Sequence, residues 1–423
     1  MRIRRGCTLA LTLLGCVVLG YVLLAAAYAI PQEALQAHLL ESTRLFDDRD
    51  GSREEMDEIL IKGYPSTWLD NTSDGFFLQY AAYEGDESIW EKALVNPRYV
   101  AQYHSTPAAE LIEQLEQGTQ NMNRVTLSRY WHGYLVLLKP LLLFFSYQDL
   151  RMLNMIVQGG MLMWLLYLMQ QRGLKRYLPA LGIALLALTP FVMPLNMHYS
   201  VVYLIALLGM IIMLQWPTWV QNRLGSSMLF LLLGIATSYF DMLTYPLLSF
   251  GLPAVLWLVL SEKEGGSNAL RTLIRIGLIW LMGYAVMWAG KWALVAIGAS
   301  PAEAATALET FATRSSAENY GRLATVWRNI AVVWRKPFKV LALVGCVAVA
   351  VKLGCRLKHK ERLLAPVSPL LALSLVGLAA LPLVWYFLLP NTNHVHYFFM
   401  HRALSITVFA LLCLLTKLME KQN

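Results

Sequence analysis

Charge is scarce in this chain. Asp, Glu, Lys and Arg make up only 15% of its 423 residues, against 57% hydrophobic ones, and the mean hydropathy is +0.48. That balance excludes an ordinary soluble domain and fits a polytopic membrane protein. Cysteine is sparse too: Cys7, Cys16, Cys346, Cys355 and Cys413 all lie in or beside apolar runs, which supports neither a disulfide framework nor a Cys-based zinc site. No Walker sequence and no GxGxxG after a strand is present, so neither a nucleotide sugar nor ATP has a recognisable cradle. The apolar runs carry almost no central charge and no internal repeat is visible, whereas transporters tend to place ionisable residues near the midplane of repeated halves.

The acids that are present sit together. Residues 30–133 hold 18 of the 27 Asp and Glu but only 8 of the 35 Lys and Arg. This segment is net negative by 10 and the remainder net positive by 18, so the formal charge of +8 averages two opposite regions. The basic residues outside it fall in short runs between apolar spans, a positive-inside pattern that reads as membrane topology rather than affinity for nucleic acid.

Apolar runs place spans near 7–29, 152–170, 177–195, 199–216, 226–240, 243–260, 276–298, 338–353, 364–388 and 403–418. The expected fold is therefore an all-α polytopic membrane protein of about ten transmembrane helices. The first run also has the look of a signal peptide, with Arg4-Arg5 before it and Ala27-Tyr28-Ala29 after it, but its length favours an uncleaved first helix. Ten crossings put both termini in the cytoplasm, and the basic turns at 171–176, 261–275, 354–363 and 417–421 then all fall inside. Three regions follow: a first helix over 1–29, an external acidic and mainly helical region over 30–151, and a helical bundle over 152–423 with external loops at 299–337 and 389–402. Residues 134–145, interrupted by Lys139-Pro140, are about half a bilayer long and read as a re-entrant or interfacial helix. Within the acidic region, helices are expected over 33–45, 53–61 and 107–116, and a loop over 63–75.

Candidate chemistry concentrates on the external side. Asp70 and Asp74, in Leu69-Asp70-Asn71-Thr72-Ser73-Asp74, can act as a general base or bind a divalent cation such as Mg or Mn, or one of them can simply cap the following helix. Asp47, Asp48 and Asp50, with Glu54, Glu55, Asp57 and Glu58, form a second acidic cluster that reads as a solvated face. Arg129, His132 and Lys139 can neutralise a phosphate, and Tyr130 and Trp131 can stack on a sugar or anchor the membrane interface. His394, His396 and Arg402 crowd the last external loop, where the lack of an HExxH helix or an external Cys favours phosphate or acceptor binding over zinc. His198 and Asp241 border spans at a depth where ionisable groups are functional suspects or helix caps. Arg314, Tyr320, Arg322 and Arg328 suggest an amphipathic helix that touches headgroups or a donor phosphate.

This layout resembles the GT-C superfamily of integral-membrane glycosyltransferases: a first span, a long acidic first external loop, many later spans, and cation-bearing external loops. The pieces Leu69 to Asp74, Ser128-Arg129-Tyr130-Trp131-His132-Gly133-Tyr134 and His396-Tyr397-Phe398-Phe399-Met400-His401-Arg402 also look like those of bacterial polytopic proteins associated with surface polysaccharides. The resemblance implies sugar transfer from a polyprenyl-phosphate-linked donor to a glycan or lipid-linked acceptor outside the cytoplasmic membrane. It implies a first-loop carboxylate as base: Asp74 first, then Asp70, with Asp47 and Asp48 as rivals. It also implies a donor phosphate held by basic residues near the membrane. A flippase for a lipid-linked saccharide, or a polysaccharide polymerase or ligase, is the alternative.

Overall fold

The computed structural model describes residues 2–46, 57–102, 106–263 and 269–420. Among them, eight helices are long and apolar enough to cross a membrane: Gly6–Tyr28, Tyr147–Gln171, Met197–Gln215, Arg223–Phe240, Ala269–Gly298, Lys336–Lys358, Pro369–Leu388 and Tyr397–Leu418. The chain is thus a multi-pass, almost wholly helical membrane protein. These eight coincide with eight of the ten apolar runs.

The other two runs make shorter helices, and the causes are local. The run at 177–195 is α-helical only over Leu178–Leu186, with a 3-10 turn at Met193–Leu195, because Thr189 takes a left-handed φ of 56° and Pro190 and Pro194 cannot continue the hydrogen-bond ladder. The run at 243–260 starts with Leu243 at φ 64° and Pro246, so its apolar helix is confined to Leu248–Ser261, short of the roughly 20 residues a full crossing needs.

Helix packing in the bundle depends on small residues. A Cβ at Gly234 would meet the Trp280 carbonyl oxygen at 2.2 Å, and one at Gly283 the Leu231 carbonyl oxygen at 2.5 Å. Helices Arg223–Phe240 and Ala269–Gly298 therefore approach backbone to backbone, a contact that dispersion favours where no hydrophobic effect separates helix from lipid.

The acidic region folds onto the first helix and the start of the second. Its core joins Leu35, Leu39, Phe77, Leu78 and Leu111 to Leu24 and Tyr28 of the first helix and to Leu138 of the eight-residue helix Leu135–Leu142. Helix Pro107–Gln117 opens as expected, with the Thr106 hydroxyl accepting from Ala109 N–H and Pro107 in the first turn. Two expectations fail here. The part of 53–61 that is described is not helical, since Glu58–Ile59 pairs antiparallel with Trp68–Leu69. The stretch 63–75 is not all loop, since helix Asn71–Ala82 starts inside it once Asp70 caps it, accepting from Ser73 N–H at 3.0 Å. A further hairpin, Pro97–Ala101 with Met122–Thr126 in the register Pro97 to Thr126, follows Asn96, whose left-handed φ of 45° ends the preceding helix.

Candidate functional site

Two helix N-termini meet at the carboxylates. Helix Asn71–Ala82 begins after Asp70, and helix Met197–Gln215 begins after Asn196, so the positive ends of both dipoles point at Asp70 and Asp74. Asn196, completely buried, holds them in place. Its Oδ1 accepts from Asp70 N–H at 3.2 Å, and its Nδ2 donates to the Asp70 carbonyl at 3.2 Å and to Asp74 Oδ2 at 2.6 Å.

The two acids then diverge in role. Asp74 has no exposed surface and is enclosed by Asn196, Arg151 at 3.4 Å and the His198 N–H at 3.5 Å. Burial pushes its carboxyl above the ordinary value, against the opposing pull of Arg151, Tyr147 and Asn196. Asp70 instead lines an open cavity of ≈ 620 Å³, as does His198, whose Nδ1 lies 3.1 Å from Asp70 Oδ2. Burial alone would raise Asp70, but the hydrogen bond and charge of His198, with bonds from Ser73 N–H and Oγ, outweigh it and hold the carboxyl low. Asp57 lines the same wall and accepts from Thr72 N–H at 2.9 Å; burial and then the Asp70 charge push it up to about 6.

The cavity is lined by cations as well. Arg98, Arg129 and Arg314 line it with Tyr130, which Arg314 contacts through the phenol oxygen and which lies 5.4 Å from the Arg129 guanidinium. Arg98 is engaged by Gln79 at 2.9 Å and Glu110 at 3.5 Å. The Nε of Arg129 is buried without a hydrogen-bond partner among the described residues. Phe76, Phe77, Phe398 and Phe399 add apolar and stacking surface to the lining, and burial lowers the imidazole of His396 to about 4.

Such a cavity can move a proton and stabilise an anion. The Asp70 carboxylate that accepts from His198 Nδ1–H also favours the charged imidazole, so His198 offers its Nε2 lone pair to a substrate hydroxyl only in the form that has given up its Nε2 proton, with the tautomer assigned from the Asp70 bond. Guanidinium groups lining the same cavity can receive a phosphate oxygen. Among the described residues, no group of three or more His, Cys, Asp or Glu is placed to hold a metal ion.

Of the residues singled out from sequence, Asp70, Arg129, Tyr130, His198, Arg314 and His396 come together here. Asp74 stands directly behind Asp70. The others are elsewhere. Trp131 is buried, donating to the Met287 carbonyl at 2.8 Å. His132 is buried against the Tyr134 hydroxyl at 2.9 Å, and burial drives its imidazole well below the usual range. Lys139 is buried 5.6 Å from the Tyr28 ring centre. Arg402 is fully buried, donating to the carbonyls of Leu188, Phe398 and Ser66 at 3.0–3.2 Å. His394 and Arg328 bond each other at 2.8 Å, with His394 stacked on Tyr320. Asp47 and Asp48 lie outside the described residues.

Four contributors were not placed in the site from sequence. Asp57 belongs to the cluster read as a solvated face, and Arg98 and Asn196 carry no motif. His198 had a usable signal, an ionisable side chain at the first turn of an apolar span. Arg314, expected on one amphipathic helix with Tyr320, Arg322 and Arg328, lies on helix Pro301–Ser315, whereas Arg322 and Arg328 lie on a separate helix, Arg322–Val333, and Tyr320 falls between the two. No protein-family model, curated protein or solved structure matches this chain.

Proposed function

We propose that this protein is a membrane glycosyltransferase. It moves a sugar from a polyprenyl-phosphate-linked donor to a cell-surface glycan or lipid-linked acceptor, with both termini in the cytoplasm and the cavity on the external side of the cytoplasmic membrane. The observation that carries this reading is that one ≈ 620 Å³ cavity is lined both by Asp70 and His198 and by Arg98, Arg129 and Arg314, with Arg129 Nε lacking a hydrogen-bond partner among the described residues. Glycosyl transfer from a lipid phosphate needs a base and cations together and no nucleotide fold.

In the proposed reaction the Asp70–His198 pair takes the proton of the acceptor hydroxyl, and the acceptor oxygen attacks the anomeric carbon. The bond from that carbon to the phosphate oxygen breaks, and the negative charge left on the phosphate is stabilised by Arg129 and Arg314. Asp70 is preferred to Asp74 as the acid of this pair because it borders the cavity, whereas Asp74 is enclosed by Arg151 and Asn196. Asp74 then acts through Asn196 as a positioning residue.

The test is transfer of labelled sugar from a polyprenyl-phosphate donor in vesicles reconstituted with the full chain. Asp70→Asn is expected to reduce turnover by about 100-fold or more, the scale of a lost general base, with expression unchanged. Movement of the lipid-linked saccharide between leaflets, without transfer to any acceptor, would replace this reading with a flippase.

A further inference from the structure

A second concavity faces the lipid rather than the cavity. It is a groove of ≈ 490 Å³ between helices Leu135–Leu142, Tyr147–Gln171 and Met197–Gln215, lined almost entirely by aliphatic and aromatic side chains. Leu137, Val157 and Leu208 on its rim are 57%, 42% and 49% exposed, so it opens on the outside of helices long enough to cross a membrane.

Its polar end is defined by Arg151. The side chain is nine-tenths buried, with its guanidinium 5.1 Å from the Tyr147 ring centre: one terminal nitrogen donates to Asn71 Oδ1 at 2.7 Å and lies 3.4 Å from Asp74, while Nε is buried without a hydrogen-bond partner among the described residues. A buried donor left unpaired is costly, and an oxygen supplied from the groove would satisfy it. The groove also has a definite depth. Its lining runs along one helix from Arg151 to Met161, which is roughly 15 Å at ~1.5 Å per residue. That is half of the ~30 Å hydrocarbon core and therefore the depth of a single leaflet.

We infer that this groove is a binding site for an anionic phospholipid. One acyl chain lies along Leu153, Val157 and Leu204, and a phosphate oxygen accepts from Arg151 Nε. A leaflet-deep groove matches an acyl chain, whereas a long polyprenyl chain would overrun it. Lipid bound here also bears on the neighbouring site, because the same guanidinium holds Asp74 and Asn71 at the start of the helix that carries Asp70. The binding itself does not depend on the sugar-transfer reading.

The probe is dioleoylphosphatidylglycerol against dioleoylphosphatidylcholine, with the full chain in mixed nanodiscs and retained lipid read by native mass spectrometry. Wild type is expected to retain the anionic lipid with about tenfold preference, the scale of one charge-assisted hydrogen bond. Val201→Trp fills the groove while leaving Arg151 and Asp74 in place, and should lose that retention at an unchanged melting temperature. Arg151→Gln should lose the preference for the anionic headgroup. Because that change also unpairs Asp74 and can unfold the chain, Val201→Trp is the deciding variant. Equal retention of both lipids by wild type overturns the inference, as does undiminished retention in a folded Val201→Trp. Displacement of phosphatidylglycerol by polyprenyl phosphate at equal concentration overturns it as well and assigns the groove to an isoprenoid.

Discussion

Asp70 and Asp74 are four residues apart in sequence and one helical turn apart in space, yet only one borders the cavity. The difference comes from Asn196, which is remote in sequence and bonds both the Asp70 backbone and the Asp74 carboxylate. Asn196→Ala is therefore expected to lower transfer through Asp70 while leaving donor binding intact, a loss in kcat with little change in KM. The lining arginines predict differently. Arg129→Gln removes a cation that stabilises the departing phosphate and should cost about 100-fold in kcat/KM, by analogy with loss of one preorganised donor. Asp57 gives a pH signature. Its folded value of about 6 lies above the ordinary 3.8, so the fold binds this proton more tightly than the unfolded chain does. The stability it contributes is full below pH ~4 and is lost as pH rises through about 6. Asp57→Asn should then be more thermostable than wild type at pH 8 by roughly 1–2 kcal/mol, discounted for solvent screening, and indistinguishable from it at pH 4. Thermal unfolding in detergent at the two pH values measures both arms.

At the scale of elements, what matters is how helix starts are anchored. The second long helix begins with a capping box: Ser146 accepts from Asp149 N–H, and the Asp149 carboxylate accepts from Ser146 N–H at 3.0 Å. This fixes the turn that presents Arg151 to Asp74. Ser146→Ala is expected to lower stability by about 1 kcal/mol and to loosen that ion pair, seen as a lower melting temperature with a weaker Asp70-dependent activity. Caps of this kind were partly legible. Thr106-Pro107 announced its helix, but which of Asp70 and Asp74 caps the next one stayed open, because either carboxylate can accept from a helix N-terminus and either can serve as a base. The Pro97–Ala101 and Met122–Thr126 hairpin went unread because its strands are short, far apart in sequence and set in a mostly helical segment. Their pairing depends on long-range contacts more than on local preference.

For the whole molecule, the proposed arrangement puts the acidic region and the basic turns on opposite faces of the membrane. In a cysteine-free background, Glu84→Cys should react with a membrane-impermeant thiol reagent added to intact cells, and Lys175→Cys only after permeabilisation. Both positions are exposed, so accessibility of the membrane face is the variable read. Labelling of Lys175→Cys but not of Glu84→Cys in intact cells would reverse the orientation of the cavity.

Eight of the long spans, their order and the polar character of residues 30–133 followed from the sequence by itself, because a bilayer demands runs of about 20 apolar residues and such runs are visible without any partner. The site did not. Which carboxylate is enclosed and which histidine reaches Asp70 depend on contacts between residues more than one hundred positions apart, such as Asp70 with His198 and Asn196. Burial and pairing of a charged group are properties of its surroundings in space. Only the tertiary structure could decide them.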